Sequence, residues 1–136
     1  MYITLDANAI MPTRAHDLDA GYDLYSKDTI TIKPNSSHVF DVGVHVQLEK
    51  GTAGLLVSKS GLNVNHSILS TGLIDAGYTG SIKVKLYNHG KSDYTVNAGD
   101  KITQLVIIKI DTPELIKMDN LENTDRGDNG FGSSGK

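Results

Sequence analysis

No stretch of this chain sustains a 3.6-residue apolar period over a dozen positions, which removes helical architectures from consideration. Short runs of strict alternation take its place, each cut by turn residues. Val42, Val44, Val46 and Leu48 alternate with Asp41, Gly43, His45 and Gln47, the cleanest strand pattern in the chain. Residues 2–5 make a short opening strand, and residues 29–32 alternate. Residues 52–57 run back after the turn at Glu49, Lys50 and Gly51. Residues 68–74 and 80–87 form the arms of a hairpin, because Ile82, Val84 and Leu86 alternate with Ser81, Lys83, Lys85 and Tyr87. Residues 102–110 are strongly apolar, as expected of a strand buried on both faces. The strands end near Met118. Residues 33–37, 88–92 and 97–100 are turn clusters, and the polar residues 58–65 hold a short helical turn at most. Many short strands with frequent turns predict an all-β barrel or sandwich.

The length of 136 residues suits one compact domain, and 38% hydrophobic residues can bury a core. There is no Cys, hence no disulfide and no thiolate metal site. No run approaches the ~18 apolar residues of a membrane span, and the N-terminus lacks a secretory pattern, so a cytoplasmic location is expected. A net charge of −3 argues against a broad nucleic-acid surface but not against a small anionic ligand in a local pocket. The five histidines show no close metal-ligand spacing.

The composition turns Gly-, Ser-, Asp- and Asn-rich after Met118, which divides the chain into a β domain over residues 1–120 and a flexible arm over 121–136. Arg126 is one of two arginines and Phe131 one of two phenylalanines, which is unusual for a mere tail. A guanidinium, an aromatic face, the hydroxyls of Ser133 and Ser134 and the unhindered amide of Gly132 suit a phosphate-bearing ring compound.

Residues 72–80 offer the complementary chemistry. Leu73 and Ile74 lead into the carboxylate of Asp75. A turn on Ala76 and Gly77 follows, then Tyr78, and Gly80 restarts a strand. This hairpin presents Asp75 and Tyr78 at its mouth, and its glycines let backbone approach a flat ligand. Asp-Ala-Gly-Tyr occurs twice, at 19–22 and 75–78, but the flanks differ and no structural repeat follows.

Five stretches stand in order: residues 20–26, 58–62, 72–80, 99–105 and 126–135. Together they resemble the five motifs of the trimeric dUTP pyrophosphatase (dUTPase) family, over nearly the whole chain. The resemblance implies a jelly-roll-like β-barrel that hydrolyses dUTP to dUMP and pyrophosphate with Mg²⁺. That reaction lowers dUTP and supplies dUMP for thymidylate synthesis. It also implies a homotrimer whose sites draw on more than one subunit. Asp75 matches the water-activating carboxylate and Tyr78 the aromatic that packs on deoxyribose. The backbone around Leu73, Ile74 and Lys83 matches the uracil-reading edge, and Asp23 the residue that holds Mg²⁺ through water. Lys59, Ser60, Gly61 and Gln104 match groups around the triphosphate. Arg126, Phe131, Gly132, Ser133 and Ser134 match the closing arm, with Phe131 over uracil.

The chain departs from the family pattern in places. Ser58 and Lys59 replace the first two residues of the usual Pro-Arg-Ser-Gly, and lysine keeps the charge but loses the bidentate fork. Leu69 stands where Asn is frequent, and Lys101 where many members have Arg. Two alternatives share the fold: a dCTP deaminase-type relative, and a regulatory module that binds a partner protein.

Overall fold

The computed structural model describes residues 1–129. Within them lie ten strands and one helix: β1 (Tyr2–Leu5), β2 (Gly21–Tyr25), β3 (Ile30–Ile32), β4 (Ser36–Asp41), β5 (Val44–Gln47), β6 (Thr52–Val57), α1 (Ser60–His66), β7 (Ile68–Asp75), β8 (Lys83–Asn88), β9 (Tyr94–Val96) and β10 (Lys101–Lys109). The main sheet has the order β2-β10-β6-β7-β8-β4, and β1-β5 and β3-β9 are two-stranded. All pairings are antiparallel. The chain is thus all-β and jelly-roll-like, as expected. The core is built from inward members of alternating runs, with Phe40, Val84, Leu86 and Leu105 almost fully buried. No helix among the described residues is long and apolar enough to cross a membrane.

The cleanest alternating run proves to be two strands. Gly43 takes φ +65° between β4 and β5, so β4 pairs with β8 while β5 pairs with β1. Val42, Val44, Val46 and Leu48 are nevertheless all buried, because the bend keeps them facing the same core. A Cβ at Gly43 would lie 2.9 Å from Lys27 Nζ and 3.0 Å from Ala9 Cβ. β6 does not run back against β5; it lies between β7 and β10. Residues 60–66 form a complete short helix, more than a single turn, closed by Ser67 in the left-handed conformation. Strands β2 and β9 lie outside the runs that the sequence predicts. In β10, Ile102 and Leu105 are buried and Ile107 packs half-buried against the same core, whereas Val106 and Ile108 are half-buried on the opposite face, which is open in the single chain. Among the described residues regular structure ends at Lys109, well before Met118, and Leu115, Ile116, Met118 and Leu121 are exposed.

One strand shapes the functional end of the molecule. The first part of β7 pairs with β8, from Ile68↔Asn88 to Ser70↔Leu86. Its second part pairs instead with β6, from Thr71↔Val57 to Asp75↔Ala53. Continued, the β7–β8 register would set Leu73 opposite Lys83, but that ladder has stopped. The opposing arm has turned to β4 and β5: Ile82 N–H donates to Val44 O (2.8 Å), and Val42 N–H donates to Ile82 O (3.2 Å). Residues 80–82, expected in the hairpin arm, therefore precede β8 and bond elsewhere. The arms part at their mouth.

Gly43→Ala should lower the unfolding free energy by about 1–2 kcal/mol, the cost of a left-handed L-residue, before any cost from crowding Ala9. Urea denaturation checks this. An unchanged midpoint would mean that the β4–β5 bend forms without a positive φ.

Candidate active site

The candidate residues gather in two places. The first is the parted mouth. Tyr78 N–H donates to Asp75 O (2.9 Å) and closes the turn that the sequence predicts. Tyr78 Oη donates to Ser81 O (2.9 Å), which folds the ring back across residue 80. A Cβ at Gly80 would lie 2.5 Å from that hydroxyl, so only glycine lets the ring lie there. Asp75 is exposed, as is Leu73, whereas the Ile74 side chain belongs to the core and only its backbone can meet a ligand.

Lys83 is less free than the sequence suggests. Its Nζ donates to Asp41, which also accepts from Ser81 Oγ and from Gly43 N–H. The Lys83 hydrogen bond, followed by that of Ser81, holds the Asp41 carboxyl well below the usual carboxylate range. Asp41 thus fixes the β8 side of the mouth, a role that its position in an alternating strand does not advertise.

The second place is the end of the sheet where β2, β10 and β6 meet. Asp23 is buried, and each of its oxygens meets one lysine: Lys59 Nζ donates to Oδ1 (2.5 Å) and Lys101 Nζ to Oδ2 (2.8 Å). Burial pushes the Asp23 carboxyl up, but the Lys101 and Lys59 hydrogen bonds outweigh it and hold it below its ordinary value. The same contact with Asp23 raises Lys101. Gln104 is half-buried and pairs with Asp23 across the β10–β2 ladder. Ser60 and Gly61 open α1 on the exposed side, next to Lys59.

Lys101 reaches this cluster through an irregularity. The β10–β2 register shifts between Lys101 and Thr103, so Ile102 is an extra residue and Lys101 stands opposite Tyr25. Plain alternation sets Lys101 on the face opposite Gln104. The bulge turns it to the face of Asp23 and Tyr25, and its Nζ lies 5.9 Å from the Tyr25 ring centroid. Ser58, the first departure from the family motif, has a definite place too. Its Oγ accepts from Ser70 N–H (2.7 Å) and donates to Ser70 O (2.9 Å), bracing β7 where it changes partners.

Arg126 is exposed, and its Nε donates to Asn129 O (3.0 Å) within its own segment. Phe131, Gly132, Ser133 and Ser134 lie outside the described residues. Among the described residues no three His, Cys, Asp or Glu side chains gather to hold a metal ion. The two clusters are well separated in one chain. Asp75 is level with Ala53 on β6, whereas Asp23 and Gln104 are level with Val57 and Lys59 lies beyond it. At about 3.3 Å per residue along a strand and about 4.8 Å between strands, Asp75 stands roughly 20 Å from Asp23 and Lys59.

Asp23→Ala should cost about 1–3 kcal/mol at neutral pH, because two charge-assisted hydrogen bonds go with it. The folded pKa lies below the unfolded one, so this contribution is present above the unfolded value and lost as pH falls through the folded value. The stability gap between the two proteins should therefore narrow below about pH 4. Urea denaturation at neutral and acid pH checks it, and a gap of equal size at both would contradict the pairing.

The comparisons with known proteins agree on one family. The dUTPase family model matches residues 7–135. The chain is 40% identical over 132 residues to the deoxyuridine 5'-triphosphate nucleotidohydrolase of Arabidopsis thaliana, covering 96% of this chain and 80% of that protein. It is 42% identical over 142 residues to the enzyme of the same name from Mycolicibacterium gilvum, covering 98% and 92%. Among solved structures, the dUTPase of Staphylococcus bacteriophage 80alpha with dUpNHpp aligns with a TM-score of 0.92 at 33% identity, over 99% of this chain and 98% of that one. A mutant dUTPase from phage phi11 of S. aureus, which carries a structural Mg(II) ion, aligns with a TM-score of 0.82 at 33% identity, over 90% and 98%. The chain belongs to the dUTPase family.

Proposed function

We propose that this chain hydrolyses dUTP to dUMP and pyrophosphate, with water attacking the α-phosphorus. The observation that carries the reading is the parted mouth between Leu73–Ile74 and Ile82–Lys83, with Asp75 and Tyr78 at its rim. A strand pair that separates there leaves main chain for a flat pyrimidine to hydrogen-bond. Tyr78 lies where a sugar would follow the base, and a ring against the deoxyribose excludes a 2′-hydroxyl sterically. Asp75 takes the proton of the attacking water. It is exposed and has no ion-pair partner among the described residues, so its oxygens remain available as a base.

The Asp23 cluster supplies the phosphate end. Lys59 and Gln104 provide donors, with Ser60 and Gly61 beside them, and in-line displacement needs mostly positioning and charge stabilisation. Asp23 alone does not make an inner-sphere site for a hard six-coordinate cation, since both oxygens already accept from lysines. The residues fit a Mg²⁺ that arrives on the triphosphate and meets Asp23 through water; there it would neutralise phosphate charge. Arg126 with Phe131, Gly132, Ser133 and Ser134 forms the closing arm of this proposal, and the last four rest on the family resemblance alone.

The proposed assembly is a homotrimer with shared sites. The gap of roughly 20 Å between the Asp75 and Lys59 clusters supports it, because that is more than strand geometry lets one chain close. The exposed Leu115, Ile116, Met118 and Leu121 support it as well, since they have no core of their own chain to enter. The deaminase alternative has no such support; the matched family model and the relatives described above favour dUTP hydrolysis.

Pyrophosphate release from dUTP, set against dTTP, dCTP and UTP, tests the function. A strong preference for dUTP is expected, and comparable rates on dCTP or UTP would overturn it. Asp75→Asn should lower kcat by about 10²–10⁴-fold while leaving dUTP binding near that of the parent. Lys59→Ala should be weak for a different reason. Mixed and reassembled one to one, the two variants should recover activity, because about a quarter of shared sites then hold both native residues. No recovery in verified mixed trimers would place Asp75 and Lys59 in one chain's site.

A further inference from the structure

His45 stands on β5, behind the turn that carries Asp75 and Tyr78, and has no part in the reaction described so far. Its Nδ1 lies 2.9 Å from the carbonyl oxygen of Thr79, and its Nε2 lies 3.1 Å from Asp6 Oδ1. A carbonyl and a carboxylate only accept hydrogen bonds. A neutral imidazole has one N–H and can serve one of them; the imidazolium serves both. The geometry is therefore complete only when the ring is charged.

The two partners belong to different parts of the chain. Thr79 sits between Tyr78 and Gly80, in a turn held also by Tyr78 N–H to Asp75 O, by Tyr78 Oη to Ser81 O and, at its far end, by Ser81 Oγ to Asp41. Asp6 follows β1, and its N–H donates to Gly43 O at the β4–β5 bend (2.8 Å). His45 thus fastens the middle of the turn to β5 and to the end of β1. The charged groups around the ring are Asp6, Asp41 at the end of β4, Lys83 paired with Asp41, and Lys27, which approaches Gly43 beside Asp6. Tyr2 lines the same shallow hollow from β1.

We propose that the His45 imidazolium is a positioning residue, which holds the Asp75–Tyr78 turn through the Thr79 carbonyl and makes turnover depend on its own protonation. The proposal rests on the dUTPase reading. The Thr79 carbonyl first, and then Asp6, raise the pKa of His45 above its ordinary value. Because the folded value is the higher one, the brace is complete below about pH 6.5 and is lost as pH rises through the folded value. That order produces a fall in kcat/KM on the alkaline side, opposite in direction to the limb of a carboxylate base that must ionise.

The experiment follows kcat and KM for dUTP from about pH 5.5 to 9 in the parent, His45→Gln and Asp6→Asn, with NMR titration of the His45 ring nitrogens in the complete protein. In the parent, both ring nitrogens should carry protons at about pH 6.5 and titrate with a midpoint above it. His45→Gln keeps one donor. It should lose about three- to tenfold in kcat/KM at low pH and show no alkaline fall of its own. Asp6→Asn removes the carboxylate charge and should move the limb to lower pH with little change below it. If His45→Gln fails to fold, Asp6→Asn carries the test alone. A His45 midpoint at or below the ordinary value, or superimposable pH profiles in the parent and the variants, would overturn the proposal. Failure of the parent to turn over dUTP would instead refute the functional reading, and the NMR midpoint would then decide whether the brace exists.

Discussion

The functional end of this protein depends on β7 leaving one neighbour for another. A strand can complete two ladders only if both partners continue beside it. Here β8 keeps pace to Ser70, and β6 takes over from Thr71. The crossing point is held by side chains: Ser58 bridges both main-chain groups of Ser70, and Ser70 Oγ meets Thr103 Oγ1 (2.7 Å), which itself donates to Val57 O (3.0 Å). Buried hydroxyls so connected meet their hydrogen-bonding needs and keep the sheets from slipping. Gly72 follows the switch, and a Cβ there would lie 3.0 Å from Leu56 Cδ1. Without that change of partner the hairpin would zip to its turn, and Asp75 and Tyr78 would cap an ordinary closed ladder.

Charge is distributed to match. Asp23 and Asp41 lie beside the two clusters, and each is held in its ionised form by lysine. Neither suits proton transfer from water, since a carboxylate held low by lysine is a poor base. Asp75 is exposed and, among the described residues, has no ion pair. Its exposure leaves it able to meet a water molecule, and the turn around it is held by Tyr78 and Thr79 rather than by bonds to its own carboxylate.

Much of this was legible in the chain. Alternation identified the all-β class and several strands, and the glycine-rich run from 72 to 80 identified the turn that bears Asp75 and Tyr78. What escaped were features that depend on neighbours distant in sequence. Period 2 cannot show that Gly43 interrupts the run from Val42 to Leu48, because both halves still face one core. Nor can it show that residues 80–82 bond to β4 and β5 before β8 begins. Asp41 was one polar member of an alternating strand until Lys83 and Ser81 arrived from another element. Nor can alternation bring Lys101 to Asp23, because one extra residue in β10 inverts the face on which the lysine emerges.

The same bulge gives a physical reason for lysine at both positions where arginine is frequent. An arginine fork engages a carboxylate with two parallel N–H groups and so takes both of its oxygens. Asp23 has two oxygens, is nearly enclosed, and must satisfy two cations. Two forks would take up every lone pair of that carboxylate. Two ammonium groups do not, since Lys59 takes Oδ1 and Lys101 takes Oδ2. Each ammonium has three donors, so after its bond to Asp23 it still has two for an anion. On this reading the two departures from the family pattern are one coupled feature. Restoring arginine at 59 alone would set a fork against a lysine that already occupies half of its target.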